Sequence, residues 1–231
     1  MTIDPKQQIR NAATIILLRR QPEGVSVLMG MRGAAAAFMP SKFVFPGGAV
    51  DADDGDLPLS RPLAQVHRDR LLTEQRGDHP INPDAVAAAA LRELAEETGL
   101  LIGQPSDAPA HCAGYQNSGL APDASALSFV FRAITPPGRP RRFDAFFFAA
   151  DAARLSVDAD DFSRACDELS HLHWVPLADA RALNLPFITE VVLAELAQLV
   201  AGVPHDAALP VPATVPFFDN RTEQPRFAQI S

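Results

Sequence analysis

Residues 92–100 read Arg92-Glu93-Leu94-Ala95-Glu96-Glu97-Thr98-Gly99-Leu100, and the helix they belong to decides how the rest of the chain is read. Glu93, Glu96 and Glu97 stand at i, i+3 and i+4, which stacks three carboxylates on one helical face. Like charges held that close repel one another unless solvent screens them or a cation fills the space between them. An all-oxygen cluster suits a hard divalent cation such as Mg2+ or Mn2+. Upstream, Asn82 followed by Pro83 is a strong helix start: the amide side chain caps and the proline takes the first turn. Ala85–Thr98 is rich in alanine, the best helix former, and Gly99 supplies the stop. Ala88, Leu91, Leu94 and Ala95 form an apolar face opposite much of the acid, so the helix is expected to pack by one side and present carboxylates on the other.

Working outward, Ala12–Leu18 and Val25–Met31 are short aliphatic runs separated by Pro22-Glu23-Gly24, and read as two buried strands joined by a turn. A tight bend is expected at Ala34–Ser41, before Phe43-Val44-Phe45 leads into Pro46-Gly47-Gly48. Residues 51–81 begin acidic and turn-rich and contain one amphipathic stretch, Leu63–Gln75. Phe129–Thr135, Phe143–Ala149 and Leu172–Val175 read as strands, Ala178–Leu183 as a short helix and Phe187–Ala201 as a longer one ended by Gly202. Residues 204–231 are proline-studded and lack periodicity, and are expected to form an extended arm packed on the body or on a partner subunit. The pattern alone supports a mixed α and β fold. No internal repeat is found.

The chain has 231 residues, 47% of them hydrophobic and 21% charged, a composition that fits one globular domain with a real core. A net charge of −8 argues against a general nucleic-acid or anionic-membrane binder, and no apolar stretch reads as a membrane span. Cys112 and Cys166 form no metal-spaced pair, so a reducing, cytoplasmic setting is the simplest expectation.

Phe45-Pro46-Gly47-Gly48 and Arg92–Leu100 together resemble the Nudix box, G-x5-E-x7-R-E-U-x-E-E-x-G-U, where U is aliphatic. Its second half matches at Arg92, Glu93, Leu94, Glu96, Glu97, Gly99 and Leu100. The first half departs from it. Gly48 and Arg92 lie 44 positions apart, about 30 more than the pattern spans. Counted back from the arginine, the first box glutamate falls at Asp84.

The resemblance implies an α/β/α sandwich with a mixed sheet over residues 1–203, an insert at about 51–81, and the arm 204–231 outside it. It implies an enzyme that uses Mg2+ or Mn2+ and water to cut a nucleoside diphosphate from another group. Glu93, Glu96 and Glu97 would be metal ligands or base, with the carbonyl of Gly47 as a further ligand. Arg92 would orient a catalytic glutamate, and Gly48 would let the backbone approach metal and phosphate. Glu168 is the candidate for an added catalytic acid from a later loop, with Asp167 and Asp160–Asp161 competing for that role. Arg32, Arg132 and Arg142, together with Arg139 and Arg141, are the cations considered for substrate phosphates. His171 and His173, which share a strand face, read as structural or rim residues, and Trp174 and Phe146–Phe148 as core.

The segments Val27–Arg32, Phe38–Pro40, Val44–Gly48 and Arg141–Asp144 look similar to the long-insert branch that includes the peroxisomal coenzyme A diphosphatases. That likeness implies cleavage of coenzyme A or acyl-CoA to 3′,5′-ADP and (acyl-)4′-phosphopantetheine, with ADP-ribose or NADH as alternative substrates. A non-catalytic, nucleotide-binding Nudix-fold regulator is the reading from another class; such proteins usually lose box glutamates, whereas all three are kept here. The expected partner is a small nucleotide, with neither nucleic acid nor membrane. The insert is rooted where it could cap the site, and the arm where it could pair protomers in a homodimer.

Overall fold

The computed structural model describes residues 8–33, 39–77, 80–107 and 114–231. Most of the bend expected at Ala34–Ser41, and Cys112, lie outside them; Cys166 is exposed. In chain order the strands are β1 (Ile9–Gln21), β2 (Gly24–Arg32), β3 (Phe43–Val44), β4 (Gly47–Ala49), β5 (Gly103–Pro105), β6 (Leu120–Pro122), β7 (Ser128–Ile134), β8 (Arg142–Asp151), β9 (Leu169–Pro176), β10 (Val215–Asp219) and β11 (Arg226–Ile230). The helices are α1 (Gln65–Leu71), α2 (Pro83–Thr98) and α3 (Phe187–Val200). Among the described residues, nine strands make one mixed sheet in the order β11-β10-β7-β8-β1-β2-β3, with β4 also paired to β1 and β9 to β2. β1 and β8 run parallel, whereas β1–β2 and β7–β8 are antiparallel.

Strand alternation places the core on both faces of this sheet. Ile15 and Leu17 of β1 and Phe146 and Phe148 of β8 pack with Leu91 and Leu94 of α2. Their neighbours Ile16, Leu18 and Phe147 pack with Val192, Leu193 and Leu196 of α3. Side chains that alternate between two covered faces give continuous apolar runs instead of an apolar–polar alternation, which is why these strands read as unbroken hydrophobic segments. The result is an α/β/α sandwich. Among the described residues no helix is long and apolar enough to cross a membrane.

The segment 204–231 is no separate arm. β10 pairs in parallel with β7, and β11 pairs antiparallel with β10, so the tail extends the sheet. Arg132 and Arg142, expected at substrate, are used to hold it there, and both assignments are corrected. Arg132 is fully buried, with Nε and Nη2 each donating to Asp144 at 2.8 Å and its guanidinium stacked on Phe217 of β10 and Phe146 of β8. Arg142 donates to the carbonyls of Thr135 and Asn220 at 3.0 and 2.7 Å. Asp144 also accepts from Arg76 of the insert at 2.9 Å, and Arg70 of the insert donates to the carbonyls of Pro212 and Ala213. Insert and tail are thus fastened to the sheet by several buried or half-buried arginines. Arg132 is spent on its buried carboxylate partner and Arg142 on backbone carbonyls, so both guanidinium groups are committed to holding the fold.

Candidate active site

Helix α2 begins and ends as its sequence dictates. The Asn82 side chain accepts from the Asp84 amide at 3.0 Å, Pro83 occupies the first turn, and Gly99 closes the helix in the left-handed region at φ +77°. The carboxylate face, however, is not open to water. β4 and the loop before β9 cover it, leaving Glu93 9% and Glu97 1% exposed. The Cys166 amide donates to the Glu96 carbonyl at 2.9 Å, which ties that loop to α2 and carries Glu168 to the site.

Arg92 is the hub of the cluster. It donates to both Asp54 oxygens, from Nε at 2.8 Å and from Nη2 at 3.1 Å. Nη1 donates to Glu93 Oε1 at 2.9 Å and to Glu96 Oε2 at 3.2 Å, and Nη2 also reaches the Ala49 carbonyl. Burial works against the charge on Arg92, but the Asp54 and Glu93 carboxylates hold its proton above the ordinary guanidinium range. This planar fork fixes Glu93 in direction as well as in position.

Asp54 is the residue that reading backward from the arginine misses. It is 2% exposed and also accepts the Asp51 amide at 2.7 Å. It lies six positions after Gly48, which is the G-x5-E spacing counted forward from the glycine. The signal was therefore present, and the insert follows the first box acid instead of preceding it. Asp84, the counterpart expected from the backward count, is paired with Arg68 on the surface.

The two glycines set how close the acids can come. The Gly47 amide donates to Glu97 Oε2 at 2.8 Å. A Cβ added to Gly48 would sit 2.2 Å from Glu93 Oε1, and one on Gly47 would meet the Ala13 carbonyl oxygen at 2.5 Å. Burial raises the Glu97 carboxyl to about 8; the Gly47 amide opposes this, and Glu93 and Glu168 add to it. Burial likewise raises Glu93 to about 7, against the pull of Arg92. Glu168 accepts from Arg32 Nη2 at 2.6 Å, so Arg32 is partly spent in holding that acid.

Glu97 Oε1 is buried and has no hydrogen-bond partner. An unsatisfied carboxylate oxygen at the bottom of an all-oxygen donor set is the chemistry of a hard-cation site. The acids are not fully gathered: among the described residues no three His, Cys, Asp or Glu side chains stand together as a formed metal cluster.

Gly47, Gly48, Glu93, Arg32 and Glu168 open onto a cleft of about 960 Å³ that runs across β1, β8 and β7 to the start of α3. Its remaining lining mixes cations with apolar groups, among them Phe143, Phe147, Phe187 and Phe218. Among the described residues, none of the insert, 51–81, lines it. Among its described residues the insert meets the site at its first turn, through Asp54 and through Asp51, which lies 3.7 Å from Arg92.

No family model matches the chain. A Caenorhabditis elegans protein named "Putative nudix hydrolase 7" is 28% identical over 190 residues, covering 72% of this chain and 51% of that protein. The chain therefore spans about half the length of that curated relative. The crystal structure of a NUDIX hydrolase from Alicyclobacillus acidocaldarius is 26% identical with a TM-score of 0.61, covering 88% of this chain and 99% of the other. The NUDIX domain of Shewanella oneidensis NrtR, solved with ADP ribose, is more distant at 14% identity and a TM-score of 0.48, covering 85% and 92%. The chain has the Nudix fold, and the first two likenesses support kinship with the Nudix hydrolases.

Proposed function

We propose that this chain is a metal-dependent Nudix pyrophosphohydrolase that cuts a nucleoside diphosphate from a second group, with coenzyme A or acyl-CoA as substrate. The observation that carries the reaction class is Glu93, aimed by the Asp54–Arg92 pair against Gly48, beside the buried, unpartnered oxygen of Glu97. Glu93, Glu96, Glu97 and the Gly47 carbonyl would hold Mg2+ or Mn2+. A bound cation of this kind neutralises phosphate oxygens and acidifies water. Arg92 keeps Glu93 from turning away, and Arg32 holds Glu168 on the facing wall, where its second oxygen can take a proton. The coenzyme A reading is supported by the long-insert sequence resemblance and by a cleft that offers both cations and apolar surface. ADP-ribose and NADH share the diphosphate and the adenine, and the acidic end suits them equally. Equimolar coenzyme A, acetyl-CoA, ADP-ribose and NADH in one Mn2+-containing reaction rank the substrates. Coenzyme A or its thioester should disappear first; faster loss of ADP-ribose or NADH would keep the reaction class and discard the coenzyme A assignment.

Gly48→Ala is expected to cost stability as well as activity, because the carboxylate it displaces is buried and held by Arg92. The swung Glu93 carboxylate should lower hydrolysis by about 10²-fold. Turnover and thermal unfolding measured side by side check this, and unchanged turnover would refute the close approach.

The raised carboxyls also give a pH signature. In metal-free protein Glu93 and Glu97 titrate near 7 and 8, above their unfolded value, so the folded state holds extra protons in the window between. Their contribution to stability is present at low pH and is lost as pH rises through those values. A divalent cation needs the ionised forms, so the rise in Tm on adding Mn2+ should grow from about pH 6 to about pH 9. A Mn2+-induced shift independent of pH would contradict the site.

A further inference from the structure

Among the described residues, five cations line the cleft: Arg10, Arg32, Lys42, Arg139 and Arg141. Three of them are engaged. Arg32 holds Glu168, Lys42 donates to Asn184 and to the Leu185 carbonyl, and Arg10 lies 3.6 Å from Asp51. Arg139 and Arg141 are exposed and have no ion-pair or hydrogen-bond partner among the described residues. Two unpaired guanidinium groups two positions apart, in a chain of net charge −8, repel each other and favour a shared anion.

The loop that carries them, between β7 and β8, is stiff. Pro136, Pro137 and Pro140 fix φ, Gly138 turns at φ +78°, and Arg142 pins the base to the carbonyls of Thr135 and Asn220. Little backbone entropy is then lost when the arginines close on a ligand. The same part of the cleft presents aromatic surface. Phe187 is 68% exposed and its ring lies 6.3 Å from that of Phe218. The acids lie elsewhere along the sheet, beside β4 on β1.

We propose that Arg139 and Arg141 bind a phosphate monoester that the nucleotide carries in addition to the diphosphate being cut, with Phe187 and Phe218 facing its base. This rests on reading the cleft as a nucleotide site. A phosphate monoester brings up to about two negative charges and several acceptor oxygens, which match two guanidinium forks. A flat base matches the exposed ring pair.

The test needs no turnover. Adenosine 3′,5′-bisphosphate and AMP differ by one phosphate, and each is titrated calorimetrically into metal-free protein and into the Arg139→Gln/Arg141→Gln variant. The parent should bind the bisphosphate at least about tenfold more tightly than AMP, and the variant should bind both within about twofold. The Arg139→Lys/Arg141→Lys variant should recover part of the preference, and thermal unfolding confirms that both variants fold. Equal affinities in the parent, binding of neither ligand, or a preference that survives in the glutamine variant would overturn the proposal. An arginine-dependent preference in a protein that hydrolyses nothing would instead overturn the reaction and leave this subsite standing.

Discussion

Glu96→Gln is expected to lower metal-dependent hydrolysis by about 10³-fold, roughly 4 kcal/mol of transition-state stabilisation, with the fold unchanged. The Glu96 side chain is 29% exposed and shares Arg92 at 3.2 Å. Glutamine is nearly isosteric and keeps an acceptor for that contact. What it removes is the charge that a cation requires. Because the residue is partly exposed and glutamine keeps its shape and its Arg92 contact, the stability change should stay within about 1 kcal/mol, so circular dichroism should match the parent and Tm lie close to it while kcat collapses. A folded and active variant would refute the assignment of this acid.

Asp54→Ala and Asp84→Ala should behave in opposite ways. Removing Asp54 leaves the buried Arg92 guanidinium without its bidentate partner and frees Glu93 to move. Breaking a buried pair in this way costs about 3–5 kcal/mol, and activity should fall with it by at least about 10²-fold. Asp84 pairs with Arg68 at the surface, with side chains 38% and 25% exposed. Its loss should cost no more than about 1 kcal/mol and leave turnover as it was. Urea unfolding and kcat of the two variants decide the matter. If Asp84→Ala is the damaging change, the first box acid lies after the insert and the geometry built on Asp54 is wrong.

Local chemistry was legible from the sequence and distant pairing was not. Asn82, Pro83 and Gly99 mark the ends of α2 because a cap, a missing amide and a left-handed residue act within one turn of themselves. Phe129–Thr135 and Phe143–Ala149 were readable as strands because their apolar runs match the rise of a strand buried on both faces. The acids were readable because helical spacing brings them together without help from the rest of the fold. Arg132 and Arg142 failed for the opposite reason. Whether an arginine meets substrate, a buried Asp144 or the carbonyls of a neighbouring segment depends on strand register, and sequence periodicity does not set which strands become neighbours. The tail failed similarly: Val215, Phe217 and Asp219 alternate inward, but a five-residue strand interrupted by Pro216 carries too short a signal to distinguish from loop. The covering of the acid face came from the same kind of distant contact, in which the loop before β9 meets α2.

The site also shows why the insert is tolerated. It enters after Asp54 and returns at Asn82, so the glycine-to-acid half of the motif and the helical half remain intact units, joined by Arg92. Thirty extra residues between two rigid halves cost little loop entropy, and part of that segment is used to fasten the C-terminal strands.

The most direct test is product analysis by mass spectrometry with the parent protein and Glu96→Gln side by side, each with Mn2+ and coenzyme A, acetyl-CoA, ADP-ribose and NADH. The expected result is 3′,5′-ADP and 4′-phosphopantetheine from coenzyme A in the parent, dependent on Mn2+ and absent in the variant. Failure of the parent to cleave any of the four in the presence of metal, or equal cleavage by the variant, would contradict a hydrolase built on these carboxylates.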